Sequence, residues 1–157
     1  MTAKSTRERL PDTRKSVTHK AVICASTPGG KPWRLHVYIT VGLFPDGRPA
    51  ELFLCINDAS ETLVGFATVW AIAISLCLQS GVELSKLIEK FAFQQFAPMG
   101  FTENPDIRSC KSLCDYVIRW MEKEFMSEPS SQISDAVIAT EELARDVHLS
   151  KPIAEEI

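Results

Sequence analysis

Hydrophobic residues form one nearly unbroken stretch in the middle of the chain, Leu63–Leu78, and this stretch predicts a helix. Only Gly65, Thr68 and Ser75 interrupt an apolar surface that continues round the whole helix. A helix that is apolar on every side lies in a protein core or in a membrane. Its 16 residues fall short of the roughly 20 that cross a bilayer. We therefore expect a central helix that is buried on every side.

The residues on either side of this stretch support a helix. Asp58 and Glu61 stand three residues apart and predict its start as an Asp-led capping box. Gly81 predicts its end, because glycine readily adopts the left-handed conformation of a helix C-terminus. A pair of buried strands is the alternative, but the length of the stretch and its lack of turn residues favour the helix.

Alternating apolar and polar residues predict three strands before this helix. The clearest alternation runs over Leu35–Leu43, so one face of that strand is buried and the other is at least partly wet. Asp46-Gly47 predicts a tight turn into a return strand, Glu51–Ile56. A first strand is predicted over Ser16–Ala25.

Two more helices are predicted after the central one. Glu83–Phe91 carries its apolar residues on one side. Asn104 is a suitable N-cap for a third helix, which is predicted to run to about Phe125. The pattern as a whole predicts an α+β fold: an antiparallel sheet of about three strands, a central buried helix, and two further helices mainly on one face of the sheet.

Charge divides the chain into three parts although its net charge is only −3. Residues 1–20 carry six basic and two acidic side chains, whereas residues 127–157 carry seven acidic and two basic ones. We predict a mobile basic segment over 1–15, a domain over 16–126, and an acidic tail over 127–157. The tail is expected to form a short helix, and whether it docks on the domain, binds a partner or stays loose is left open. The small net charge excludes a global basic field for nucleic acid. The charged N-terminus lacks a secretory signal, so we expect a cytoplasmic protein.

The five cysteines are interpreted as reduced thiols that pack in the core. Cys110 and Cys114 are four residues apart and fall on the apolar side of the third helix, where a thiol behaves as a small hydrophobe. That spacing differs from the two-residue spacing of zinc and redox motifs. Cys24, Cys55 and Cys77 also lie in apolar stretches and are interpreted in the same way.

One polar cluster is a candidate site for phosphate or nucleotide. Its candidate ligands are Arg14, Lys15, Thr18, His19 and Lys20. Guanidinium, ammonium and hydroxyl groups are suitable donors to phosphate, and Ser16, Thr18 and Lys20 share one face of the predicted strand. The alternative is a solvated basic edge that discourages strand-to-strand aggregation.

No residue pattern predicts catalysis. The aromatic connection Phe91, Phe93, Phe96 and Phe101 either stacks on a base or seals the junction between helices and sheet. The sequence contains no phosphate-binding glycine loop, dinucleotide fingerprint or nucleophile elbow. We therefore expect no catalytic residues in this chain.

Four long blocks of sequence resemble the C-terminal (TSCPD-type) domain of adenosylcobalamin-dependent class II ribonucleotide reductases. They are RLPDTRKSVTHKAVI (Arg9–Ile23), YITVGLFPDGRPAELFL (Tyr38–Leu54), AISLCLQSGVELSKLIEKF (Ala73–Phe91) and FTENPDIRSCKSLCDYVIRWM (Phe101–Met121). The blocks occur in the family's order and cover roughly residues 9–125. The resemblance implies an accessory or regulatory component of deoxynucleotide synthesis that lacks the catalytic barrel and works with a class II catalytic chain.

The resemblance also bears on cofactors and partners. This chain has ENPDIRSC (Glu103–Cys110) at the place of the family's Cys-containing motif, so we expect no metal and no cofactor here. Adenosylcobalamin would belong to the partner catalytic chain. An independent nucleotide- or phosphate-binding module and a non-catalytic interaction adaptor are the alternative functions. A second copy of the chain is a candidate partner, paired through the outward side chains His36, Tyr38 and Thr40, and no membrane association is expected.

Overall fold

One antiparallel sheet with three helices against one face is built by residues 6–26 and 30–127, which are the residues that the computed structural model describes. The strands are β1 (Ser16–Ser26), β2 (Pro32–Leu43), β3 (Pro49–Asn57), β4 (Gly100–Thr102) and β5 (Ser109–Cys110), and the helices are α1 (Glu61–Gln79), α2 (Leu84–Phe91) and α3 (Leu113–Met126). The strands lie in the order β3-β2-β1-β4-β5. The chain divides into two units, Met1–Met126 and Ser127–Ile157, and this fold is that of the first.

The first three strands form the meander that the alternating pattern predicts. Val37 is buried and its neighbour Tyr38 is exposed on the opposite face, as a period of two requires. In the turn between β2 and β3, Gly47 has a φ of 89°, a conformation that favours glycine. The backbone amide of Arg48 donates to the Asp46 carboxylate there at 3.0 Å. The hairpin prediction is confirmed, with strand ends that differ by at most three residues.

The sheet contains five strands, which corrects the prediction of about three. β4 pairs with β1, where Thr102 lies opposite Ile23, and β5 pairs with β4, where Cys110 lies opposite Gly100. These strands have three and two residues, too short to show an alternating pattern. They extend the sheet beyond β1, so β1 lies at its centre.

The third helix begins at Leu113, and the prediction that Asn104 is its N-cap is wrong. The Asn104 side chain accepts a hydrogen bond from the amide of Asp106 at 2.9 Å, which closes a local turn. Ser112 caps α3 instead, because its hydroxyl accepts from the amide of Asp115 at 3.0 Å. The residues between Asn104 and Ser112 form the connection that contains β5.

The three helices pack on the same side of the sheet, as predicted. α3 contributes the most deeply buried helical side chains, among them Val117, Ile118 and Met121. α2 begins one residue later than predicted, at Leu84, and packs against α3. Side chains of β1, β2, α1 and α3 share one hydrophobic core.

Helix α1 is buried on one side only, so the prediction that it is buried on every side is wrong. Its buried apolar side chains are Ala67, Trp70, Ala71, Ile74 and Leu78. The opposite side is exposed because the sheet and the other described helices cover only the inward one. The N-cap is Ser60, whose hydroxyl accepts from the amide of Leu63 at 3.3 Å, rather than Asp58.

Two polar side chains of α1 bind the outer edge of β3. The Ser75 hydroxyl accepts a hydrogen bond from the Leu52 amide at 2.8 Å. The buried Gln79 amide group donates to the Ala50 carbonyl at 3.1 Å. Edge strands present unpaired backbone groups, and these two side chains satisfy some of them. They also fix α1 against the sheet.

Residues 6–15, part of the predicted mobile basic segment, contact the domain without forming a helix or strand. The Arg7 guanidinium donates to the Gln79 side chain at 2.7 Å, and the Glu8 amide donates to the Gln79 carbonyl at 2.8 Å. Arg14 forms an ion pair with Glu51. The predicted acidic tail and its short helix lie outside the described residues, apart from Ser127.

Candidate functional site

The sheet separates the predicted phosphate ligands into two groups. Thr18 and Lys20 are exposed on the outer face, where the Thr18 hydroxyl is 3.0 Å from that of Thr40. His19 points to the opposite face and contacts Tyr116 of α3. Neighbouring residues of a strand point to opposite faces, so His19 cannot join Thr18 and Lys20 on one ligand.

Arg14 is already paired in the structure. It forms an ion pair with Glu51, whose side chain lies largely buried at the outer face of the sheet. A Cβ at Gly42 would lie 2.3 Å from the Glu51 carboxylate, so the missing side chain at position 42 makes room for this pair. Lys15 is exposed beside it. The phosphate or nucleotide site stays a prediction, and its five residues do not converge on one point.

His19 belongs to a polar and aromatic cluster between β1 and α3. Its Nε2 is 2.8 Å from the Tyr116 hydroxyl, which also accepts a hydrogen bond from the Asn104 side chain at 3.0 Å. Its ring stacks on Trp120 with a centroid distance of 5.0 Å. Burial lowers the pKa of His19 because the charged imidazolium loses hydration, while Glu124 acts weakly in the opposite direction. A cleft of about 340 Å³ opens beside His19 and Asn104.

The cysteines differ in exposure. Cys110 and Cys114 are buried as predicted, and burial raises the pKa of their thiols to about 11 and about 12. Such thiols are poor nucleophiles and poor metal ligands at neutral pH. Cys55 is exposed on the outer face of the sheet, so the prediction of core packing is wrong for this residue. Among the described residues, no group of three or more His, Cys, Asp or Glu side chains is placed to hold a metal ion.

A buried carboxylate, Asp115, holds the connection after α2 against the start of α3. It accepts hydrogen bonds from the amide of Phe93 at 2.7 Å and from the amide of Lys111 at 2.8 Å. Arg119 supplies the countercharge at 3.3 Å. The sequence pattern did not single out Asp115, because an Asp in the first turn of a helix is common.

The aromatic connection is partly a seal and partly exposed. Phe91 packs edge-on against Trp70 at 5.9 Å, and Phe96 packs edge-on against Phe66 at 5.7 Å. These two contacts confirm the sealing role for half of the connection. Phe93 and Phe101 remain largely exposed, and two cationic side chains, Lys111 and Arg119, lie over the Phe93 ring.

The most distinctive surface is the outward side of α1. Gly65, Val69, Ile72 and Leu76 line up along it at spacings of four, three and four residues, and we call these residues the outer stripe. Val69 is 67% exposed, Ile72 55% and Leu76 41%. Thr62–Ser80 contains no charged residue, although exposed helix faces usually carry several. The spacing was visible in the sequence, but the pattern does not reveal which side lacks a neighbour.

Two apolar hollows flank the outer stripe. A groove of about 330 Å³ runs between α1 and the edge strand β3, lined by Phe53, Leu54 and Thr68, and Arg7 lies beside it. A wider cleft of about 730 Å³ lies near the start of α1, lined by Trp33, Phe66, Phe96, Leu63, Met99 and their neighbours. By length and composition α1 would be able to cross a membrane, but its inward side packs on β3. The arrangement favours contact with another macromolecule.

Comparison with known families decides the affiliation of the chain. The family model described as the TSCPD domain matches residues 1–125. The chain belongs to the TSCPD domain family. The match covers all of the described strands and the first two helices, together with α3 almost to its end. No solved structure matches the chain at a significant level.

Several curated relatives are named vitamin B12-dependent ribonucleotide reductase. The TSCPD chain is 44% identical over 124 residues to that of Rhodopirellula baltica, 38% over 122 residues to that of Bradyrhizobium diazoefficiens, and 34% over 120 residues to that of Streptantibioticus cattleyicolor. The matches cover 79%, 77% and 76% of this chain but only 11%, 9% and 18% of those relatives. The chain therefore spans less than a fifth of the length of these three reductases.

Proposed function

We propose that this TSCPD domain serves ribonucleotide reduction as an accessory or regulatory component that acts with the catalytic part of a B12-dependent ribonucleotide reductase. The observation that supports the proposal is the 44% identity that extends over 124 residues to a reductase of that name. Identity at this level over a whole domain favours a shared role. The cofactor adenosylcobalamin belongs in this proposal to the catalytic part.

The chemistry of the described residues favours a role without catalysis. The two buried thiols have raised pKa values, so they are protonated at neutral pH and poorly reactive. His19 is hydrogen-bonded to Tyr116 and stacked on Trp120, which is an arrangement that stabilises packing. The exposed apolar side of α1 favours protein contact, and this supports an interaction role over a nucleotide-binding module.

Complementation of a truncated reductase tests the proposal. The segment of the Rhodopirellula baltica reductase that matches this chain is deleted, and the purified chain is added to the truncated enzyme at increasing concentration. We expect saturable binding in calorimetry and a matching change in the rate of ribonucleotide reduction. An unrelated acidic protein of similar size is the control. Absence of both binding and rate change would contradict the proposal.

A further inference from the structure

The outer stripe of α1 has the properties of a contact surface. Its three large side chains are between 41% and 67% exposed, and no charge interrupts it from Thr62 to Ser80. The residues Gly65 to Leu76 extend over about 17 Å of helix. A contiguous apolar surface of this kind usually marks a site of association.

We propose that two copies of this chain associate through α1, with the two helices antiparallel across a two-fold axis. An axis that passes between Trp70 and Ala71 places Leu76 of one copy opposite Gly65 of the other. The same axis places Val69 of one copy opposite Ile72 of the other. Apart from its chain neighbours and the backbone of its own helix, a Cβ on Gly65 would meet no atom of the described residues within 4 Å. The space beside Gly65 is therefore open to Leu76 of the second copy. The stripe is thus complementary to itself in side-chain size.

Charge favours the antiparallel orientation. Arg7 is held at the C-terminal end of α1 by its hydrogen bond to Gln79, and Glu61 lies exposed at the N-terminal end. Antiparallel pairing brings Arg7 of each copy next to Glu61 of the other. Parallel pairing would instead place the two Glu61 side chains together, and like charges at that distance repel.

The size of the surface sets the expected strength. Two helices in contact over three turns bury less than the roughly 800 Å² per partner of a standard stable interface. Phe53 and Phe66 stand on either flank of the stripe and enlarge the apolar contact. We therefore expect a reversible dimer that dissociates on dilution, and not a permanent one.

Sedimentation equilibrium of the full chain tests the proposal over about 1 to 500 µM protein. We expect the mean mass to rise from 17.5 kDa toward twice that value, 35 kDa. Ile72→Asp places a charge in the outer stripe, at the proposed contact between the two helices, and should weaken association at least tenfold. Phe101→Asp is the matched control, because Phe101 is even more exposed but lies on the sheet, and it should leave association unchanged.

A second variant separates loss of association from loss of folding. Gly65→Leu fills the space that receives Leu76 of the second copy, and the first carbon of the new side chain meets no described neighbour outside its own helix. Leucine also favours the helical conformation more than glycine does. We therefore expect a chain that is at least as stable to urea as the parent and that remains monomeric.

Exchange of charges tests the orientation. Arg7→Glu and Glu61→Arg should each weaken the dimer, and the double variant should restore it. A chain that stays monomeric at every concentration, or a dimer that survives Ile72→Asp and Gly65→Leu, would overturn the proposal. So would binding of the stripe to phosphatidylcholine–phosphatidylglycerol vesicles without self-association, or capture by a reductase catalytic chain as the only association observed.

Discussion

At the scale of single residues, the environment of a reactive or charged side chain, rather than its residue type, decides its role. His19 and Lys20 are neighbours in β1, yet one is packed between sheet and helix and the other is exposed. Cys55 and Cys110 have the same thiol, yet Cys55 lies at the surface and Cys110 in the core. The sequence predicted the burial of Cys110 and Cys114 because both were expected on the apolar side of the third helix; both are buried, but Cys110 lies in β5 and only Cys114 in α3. It was wrong for Cys55, since that residue faces outward from a strand whose neighbours are also apolar.

The pH dependence of stability is a prediction at this scale. Burial lowers the pKa of His19 in the folded chain below its ordinary value of 6.5. Below pH 6.5 the unfolded chain therefore binds more protons than the folded one. As the pH is lowered from 6.5 toward the pKa of His19 in the folded chain, the free energy of unfolding decreases. Urea unfolding from pH 7.5 to 5 should show this loss, and His19→Gln should reduce it. An equally steep loss in the variant would assign the effect to other groups.

At the scale of elements, the sequence predicted most of the secondary structure and missed what depends on neighbours. The alternation in β2 and the Asp46-Gly47 turn are local signals, and together they were sufficient to predict the hairpin of β2 and β3. The residues after Asn104 carry turn and helix signals at once, and the side-chain hydrogen bonds of Asn104 and Ser112 decide between them. The exposure of α1 depends on how far sheet and helices extend around it, which no local pattern encodes.

The contact between α1 and the edge of β3 gives a prediction at the scale of elements. Ser75→Ala removes the acceptor of the Leu52 amide and leaves a partly buried donor without a partner, so we expect a loss of about 1 to 2 kcal/mol in the free energy of unfolding. Thr68→Ala is the matched control. The Thr68 hydroxyl also donates to the carbonyl four residues before it, but it has no hydrogen bond to the sheet and lies exposed. Equal losses in urea unfolding of the two variants would contradict a specific role of Ser75.

At the scale of the whole molecule, residues 6–15 before β1 are attached to the domain by specific contacts. Composition predicted a mobile basic segment over residues 1–15, because charged residues without apolar ones rarely order by themselves. From Arg7 onward this segment makes specific hydrogen bonds to the end of α1 and an ion pair to β3. The phosphate ligands were likewise predicted from residues that are close in sequence, without knowledge of their neighbours in space. Such a cluster does not reveal that Arg14 is paired with the buried Glu51.

Truncation of this segment gives a prediction at the molecular scale. Deletion of residues 2–9 removes the contacts of Arg7 and Glu8 with Gln79 and the ion pair of Glu8 with Arg48. We expect a loss of about 1 to 2 kcal/mol in the free energy of unfolding, mostly from the two hydrogen bonds. Deletion of residues 2–5 alone is the control, because it leaves the contacts of Arg7 and Glu8 in place. If both deletions have the same effect in urea unfolding, the contacts with Gln79 do not stabilise the domain.

The close approach of Gly100 to β1 limits how this chain is able to diverge over generations. A methyl group at position 100 would lie 2.0 Å from the carbonyl oxygen of Cys24, a distance that no backbone can tolerate. Any inherited replacement of Gly100 would therefore force β4 and β1 to shift apart where these two strands pair. We expect such a replacement to weaken the pairing of β4 with β1, and through β4 the attachment of β5 to the sheet.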